Sequence, residues 1–292
     1  MKPRVSLMVI ITAGCGFYLG CLRSGITPFH LGLLQALIGV AVVTAGSSAL
    51  NQALERHTDR RMARTAFRPM AQQRLSLPHG LVVGFLLVAG GSLFLAVFTN
   101  LLTGMLTLLT AVGYVAIYTP LKRITTLNTF IGAFPGAMPP LIGWTASRGV
   151  IEWPAVALFA ILFVWQFPHF MAIGWMYRED YAKAGIRVTA TQKPTSYAAR
   201  SSAVQALFYA ALMIPVSLWP SFLRITGMPY TLAALLLGAY YLVATIRFAR
   251  IARFPEDAGN RQVARRLLKV SVIYLPVLLL AMIIFARGRL VF

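Results

Sequence analysis

The chain has 292 residues, of which 58% are hydrophobic and only 12% charged, with a mean hydropathy of +0.73. A soluble domain carries about a quarter charged residues, so this composition excludes an ordinary water-soluble globule and indicates the membrane class. The net charge of +20 would suit nucleic acid, but the Lys and Arg lie in short segments between apolar runs. No compact basic domain results, which excludes a nucleic-acid-binding module.

In chain order, the first apolar run covers 5–22. It is basic and then apolar, yet no small-residue cleavage site follows, so it reads as a membrane helix and not a cleaved signal peptide. Both cysteines, Cys15 and Cys21, lie inside it and match no metal spacing or disulfide framework. Further runs follow at 31–54, 79–98, 101–118, 126–145, 154–176, 201–221, 229–250 and 267–286. Each is long enough to cross about 30 Å of hydrocarbon as a helix, the form that satisfies its own backbone in lipid. The prediction is an all-α fold: a polytopic bundle of about nine transmembrane helices, residues 1–292 forming one domain. Only Thr99 and Asn100 separate the third and fourth runs, so these make a tight helical hairpin.

Charge assigns the sides. With the N-terminus inside, 22 of the 27 Lys and Arg fall on the inner side and five on the outer, which favours N-in and C-out. Six of the seven acids (Glu55, Asp59, Glu179, Asp180, Glu256, Asp257) share that inner side, and only Glu152 lies outside. The long loops at 55–78 and 177–200 are also inner. Chemistry is therefore expected at the inner face.

Three stretches carry residues able to do it. In NQALERHTDRRMARTAFRP, Asn51, Glu55 and Asp59 recur every fourth residue and so share one helix face. Oxygen donors on such a face suit Mg²⁺, and Arg60, Arg61, Arg64 and Arg68 just downstream suit phosphate oxygens. A solvated loop whose arginines anchor the topology is the alternative. In YTPLKRITTLNTFIGAFPGAMPPLIGW, Lys122 and Arg123 sit at the inner edge before a Gly- and Pro-rich helix. They suit the same diphosphate, or serve as bare interface anchors. In WQFPHFMAIGWMYREDYAKAG, Gln166 and His169 lie within a span, where polar groups are expensive and face the interior. His169 is there either for function or to bridge helices. His30, His57 and His79 have no ligand spacing, and the 251–266 segment, with Glu256 and Asp257, reads as a connection between helices.

At these three stretches, and at the opening KPRVSLMVIITA and the closing ARRLLKVSVIYLPVLLL, the sequence resembles the heme-farnesylating branch of the UbiA-like intramembrane prenyltransferases. The likeness covers nearly the whole chain, and GAMPPLIGW and WQFPHF are its most specific motifs. The resemblance implies a nine-helix bundle with a central cavity open to the cytoplasmic side, in a bacterial inner membrane. It implies Mg²⁺-dependent transfer of farnesyl from farnesyl diphosphate to a vinyl group of heme B, with water addition, giving heme O. Membrane lipid surrounds the enzyme, and a heme A synthase or terminal oxidase assembly would take the product. By motif match Asn51, Glu55 and Asp59 bind metal, and Arg64, Arg68, Lys122 and Arg123 bind diphosphate. Glu179 and Asp180 stand at a second acidic motif that is thinner here than in aromatic-prenylating relatives. Asp180 and His169 join the catalytic set, with His169 on the acceptor side. Prenylation of a quinone precursor or chlorin is the nearest alternative, and a multi-helix transporter is the alternative of another class.

Overall fold

A computed structural model describes residues 3–287. Lys2 and Arg289, both used in the charge count, lie outside the described residues. Nine long helices account for most of the described residues. They are α1 (Pro3–Ser24), α2 (Leu31–Asp59), α3 (Leu77–Phe98), α4 (Leu101–Val112), α5 (Asn128–Arg148) and α6 (Trp153–Met176). After a short α7 (Arg178–Lys183) come α8 (Thr195–Phe222), α9 (Met228–Ala249) and α10 (Asn260–Ile284). Eight have the length and apolar composition of membrane spans. The ninth, α5, is 21 residues long, but its Gly and Pro content dilutes its hydropathy below that of the others.

The helices run past the expected ends of the apolar runs. Helix α2 continues to Asp59 and α10 begins at Asn260, because polar residues continue a helix once it clears the hydrocarbon. Consequently Asn51, Glu55 and Asp59 all ride on α2, and the loop after it starts at Arg60. Helix α4 passes into a π-helical stretch, Gly113–Tyr118, and a last turn, Thr119–Leu121. Pro120 has no N–H to donate and crowds the turn before it, which is a recognised cause of such loosening. The expected tight hairpin is present: Asn100 accepts from the Thr103 backbone N–H at 2.9 Å, capping α4.

Two compact units are distinguishable. The first comprises everything up to Pro120 with Ala137–Phe159, and the second Leu121–Gly136 with Ala160–Ala286. In the first, Ala13, Val40, Leu95 and Ile142 form an apolar core joining α1, α2, α3 and α5. Backbones approach so closely that a Cβ on Gly16 would lie 1.9 Å from the Pro140 carbonyl oxygen. Glycine permits that contact, as small residues generally do between membrane helices. In the second unit Phe167, Met213, Tyr230, Tyr241 and Phe248 are fully buried. Outward faces such as Phe85, Leu86 and Leu93 on α3 or Leu236 and Tyr240 on α9 are exposed and mostly apolar, as lipid-facing sides must be.

Candidate active site

Within the first unit, the C-terminal end of α2 turns its polar face into the protein. Asn51, Glu55 and Asp59 are 0%, 8% and 1% exposed, whereas Leu54 on the opposite side is 43% exposed. The spacing thus produced the expected shared face, and that face is buried. Asn51 donates from Nδ2 to Thr119 Oγ1 at 3.1 Å, and Thr119 donates to the Tyr114 carbonyl at 2.9 Å. The loosened end of α4 therefore supports Asn51.

The following loop folds back through successive turns. Thr65 Oγ1 donates to the Asp59 carbonyl at 2.9 Å, and the Arg68 N–H donates to the Thr65 carbonyl at 3.0 Å. Met62 and Met70 are buried beneath, and Arg60 donates to the Ala71 carbonyl. This returns Arg68 to Asp59, where its Nη1 meets both carboxylate oxygens at 2.8 Å. Arg64 is exposed on the same loop. Glu55 and Asp59 are thus two hard oxygen donors one helical turn apart, with an amide a turn further on. Among the described residues no three His, Cys, Asp or Glu gather as a complete ligand set. The donors fit Mg²⁺ in the manner that ion prefers, with few protein carboxylates and the remaining positions left to phosphate and water.

Within the second unit, Glu179 and Asp180 occupy the first turn of α7. Asp180 is half-buried and Glu179 exposed. Gly185, at φ +71°, reverses the chain after α7. The returning strand of loop is stitched to the α4–α5 connection. The Arg187 N–H donates to the Lys122 carbonyl at 2.8 Å, Arg187 Nη1 donates to the Ile124 carbonyl at 2.9 Å, and Asn128 donates to the Arg187 carbonyl. Lys122, half-buried, and Arg123, exposed, are thereby held beside the segment that follows the acidic pair. Arg187 organises this corner, and nothing in its sequence neighbourhood marked it.

Deeper in the same unit, Trp165 Nε1 donates to the Ser271 carbonyl at 2.8 Å, and His169 Nδ1 lies 2.8 Å from Ser271 Oγ. Ser271 Oγ also donates to the Leu268 carbonyl at 2.7 Å. Its only proton is then spent, so in a neutral ring His169 Nδ1 carries the proton and Nε2 the lone pair. The ring stacks on Trp165 at 4.9 Å. His169 thus bridges α6 to α10, as one of its two readings required. Gln166 donates to the Ala133 and Leu162 carbonyls, each at 3.1 Å, and binds α5 to α6. The aromatic content concentrates on these helices: Phe163 meets Phe134 at 4.9 Å and Phe167 at 5.3 Å. Phe167 in turn stacks on Tyr209 at 3.7 Å.

The remaining acid, Glu152, has a structural place. In the first unit Glu152 accepts from Trp144 Nε1 at 3.0 Å and from Arg148 Nε at 2.9 Å.

The arrangement defines a polytopic membrane bundle with buried carboxylates and cations at the ends of its helices. Solved structures share the fold. A digeranylgeranylglyceryl phosphate synthase matches with a TM-score of 0.75 at 20% identity, over 97% of this chain and 98% of its own. A UbiA homolog from Archaeoglobus fulgidus, solved with GPP and Mg²⁺, matches with a TM-score of 0.58 at 15% identity, over 96% and 98%. The model of the UbiA prenyltransferase family matches residues 8–264, and the chain belongs to that family: it is an integral membrane prenyltransferase. Among its relatives, the protoheme IX farnesyltransferase of Koribacter versatilis is 45% identical over 97% of this chain and 90% of its own length. That of Solibacter usitatus is 39% identical over 95% and 94%.

Proposed function

We propose that the chain transfers farnesyl from farnesyl diphosphate to a vinyl group of heme B, with water adding to the vinyl carbon and diphosphate leaving, to yield heme O. The observation that carries this reading is the 45% identity, along almost the whole chain, to a protoheme IX farnesyltransferase. That match runs over 283 residues, 97% of this chain, whereas a shared fold alone would leave the acceptor open.

Mg²⁺ is the cofactor in this reading, held by Asn51, Glu55 and Asp59, and at the second acidic motif by Glu179 and Asp180. When bound it withdraws charge from the leaving diphosphate. The protein's own part is to present cations to that charge as it grows. Arg64, Arg68, Lys122 and Arg123 take the diphosphate oxygens, and preorganised charge of this kind is worth most where water is excluded. Arg68 hands Asp59 over when substrate arrives, exchanging a carboxylate for a phosphate. His169 acts on the acceptor side. With Nδ1 engaged by Ser271, its Nε2 lone pair is suited to ligate iron or to accept the proton of the added water. The enzyme sits in a bacterial cytoplasmic membrane with its N-terminus and both acidic motifs inside, and a heme A synthase or terminal oxidase assembly receives the product.

The test is direct. Purified protein incubated with Mg²⁺, farnesyl diphosphate and heme B should yield a pigment heavier by one farnesyl group and one hydroxyl group. Metal-dependent consumption of the diphosphate without that pigment would reassign the acceptor to a quinone precursor or chlorin.

A further inference from the structure

Threonine hydroxyls within membrane helices ordinarily bond the carbonyl one turn back, as Thr107, Thr110 and Thr245 do here, each to the residue four positions behind. Thr119 behaves differently. Its Oγ1 reaches five positions back, to the Tyr114 carbonyl at 2.9 Å, and its backbone N–H donates to that same carbonyl. The π-helical stretch makes this possible. Its wider turn holds one residue more than an α-turn, so whatever follows is swung by roughly 100° about the helix axis. Thr119 ends up buried, while Ile117 just before it is exposed.

A hydroxyl has one proton, and the Tyr114 carbonyl takes it. Towards α2, Thr119 can therefore only accept, and it accepts from Asn51 Nδ2 at 3.1 Å. Which end of an Asn amide is nitrogen follows from such a partner. Here the nitrogen must lie on the Thr119 side, so the oxygen is the end carried away from it. Asn51 is fully buried, on the helix face that also carries Glu55 and Asp59. An amide turned the other way would point N–H groups, its positive end, away from Thr119 instead.

We infer that Thr119 is a positioning residue: it fixes the rotation of the Asn51 amide so that an oxygen, and not an N–H group, is offered to the cation shared with Glu55 and Asp59. The inference rests on the metal-dependent reading proposed above and adds to it a residue that acts through Asn51. The physical reason is an asymmetry between Asn51 and the two acids. A carboxylate presents oxygen whichever way it turns, whereas an amide presents oxygen in only one of its two orientations. A hard cation takes oxygen and is repelled by N–H. Partners behind the ligands of a metal commonly act in this way, by setting the orientation of the ligand itself.

The probe is Mn²⁺ alone, titrated into the purified full-length chain, with the free ion followed by electron paramagnetic resonance. The bound ion scored is the one lost in Asp59→Asn. Thr119→Val keeps the shape and removes the hydroxyl, and it should weaken that ion about tenfold or more, as is typical when a partner behind a metal ligand is removed. Thr119→Ser keeps the hydroxyl and should bind as wild type. The decisive comparison is a second background. In Asn51→Asp the side chain has no nitrogen to misplace, so adding Thr119→Val there should cost little. Wild-type affinity in Thr119→Val, or a Thr119→Ser protein weakened as much as Thr119→Val, would overturn the inference. So would equal weakening by Thr119→Val in both backgrounds, which would assign the effect to packing. Mn²⁺ binding that Asp59→Asn leaves unchanged would instead overturn the metal-dependent reading.

Discussion

Arg68 places one guanidinium nitrogen 2.8 Å from both oxygens of Asp59, so the residue expected to hold diphosphate holds the carboxylate expected to hold metal. Both roles share one pair, and this couples them. Asp59 is 1% exposed and the Arg68 side chain 16%, so loss of either partner has unequal consequences.

Arg68→Ala leaves a buried carboxylate without its counter-charge and should cost about 3 kcal/mol of stability. Asp59→Asn keeps an acceptor, and Arg68 can turn to solvent, so its cost should be smaller. Thermal melting of both variants checks the order. Added Mg²⁺ should restore much of the loss in Arg68→Ala, because a cation can replace the guanidinium. Melting that ignores Mg²⁺ would remove Asp59 from the metal site.

Asp59→Asn should also abolish turnover in a folded protein, on the order of a thousandfold, as the loss of one charged partner at a transition state commonly does. Glu55→Gln should be similar or milder, since the longer side chain can act through water. Near-normal turnover in a folded Asp59→Asn protein would return α2's acidic end to a purely structural role.

His169→Ala should leave farnesyl diphosphate binding almost intact while heme farnesylation collapses. Ser271→Ala removes the hydroxyl that orients the ring, and it should lower the same step by a smaller factor with no effect on diphosphate affinity. A His169→Ala protein that loses affinity for both substrates together, along with thermal stability, would mark the histidine as a helix bridge only.

The charge distribution predicts the sides. With Cys15 and Cys21 both buried and replaced, single cysteines at Ala63 and Ala182 should react with impermeant reagent from the cytoplasmic side. One at Val150 should react from the other side. Outer labelling of both Ala63 and Ala182 would invert the arrangement.

Glu152 gives a pH test away from the site. The hydrogen bond from Arg148 holds its carboxyl below the ordinary value of 4.5, the Trp144 indole adds to this, and partial burial opposes it. A depressed folded-state value means the stabilisation is complete above the ordinary carboxylate range and disappears as pH falls through the depressed value. Glu152→Gln should therefore melt lower than wild type at neutral pH and converge with it in acid. A constant difference across that window would assign the effect to packing.

Much of the α2 site was legible because it is local. Asn51, Glu55 and Asp59 are placed on one face by helical periodicity alone, and the burial of that face follows from the cost of polar groups in lipid. The structural role of Glu152 was not legible, since nothing nearby in sequence names Trp144 as its partner. The missed organiser, Arg187, sits in a segment whose composition is that of any loop between membrane helices.

By itself the sequence determined the membrane class, the helix order and the four-residue spacing of the first cluster, all properties of neighbours along the chain. Tertiary structure alone decided the rest. Thr119 supports Asn51 from 68 positions away, Ser271 orients His169 across 102, and the 255–261 connection faces Glu179 and Asp180 across one pocket. Such contacts depend on how helices pack, through small residues and loosened turns. Spacing in a chain carries no record of which distant side chain completes a hydrogen bond.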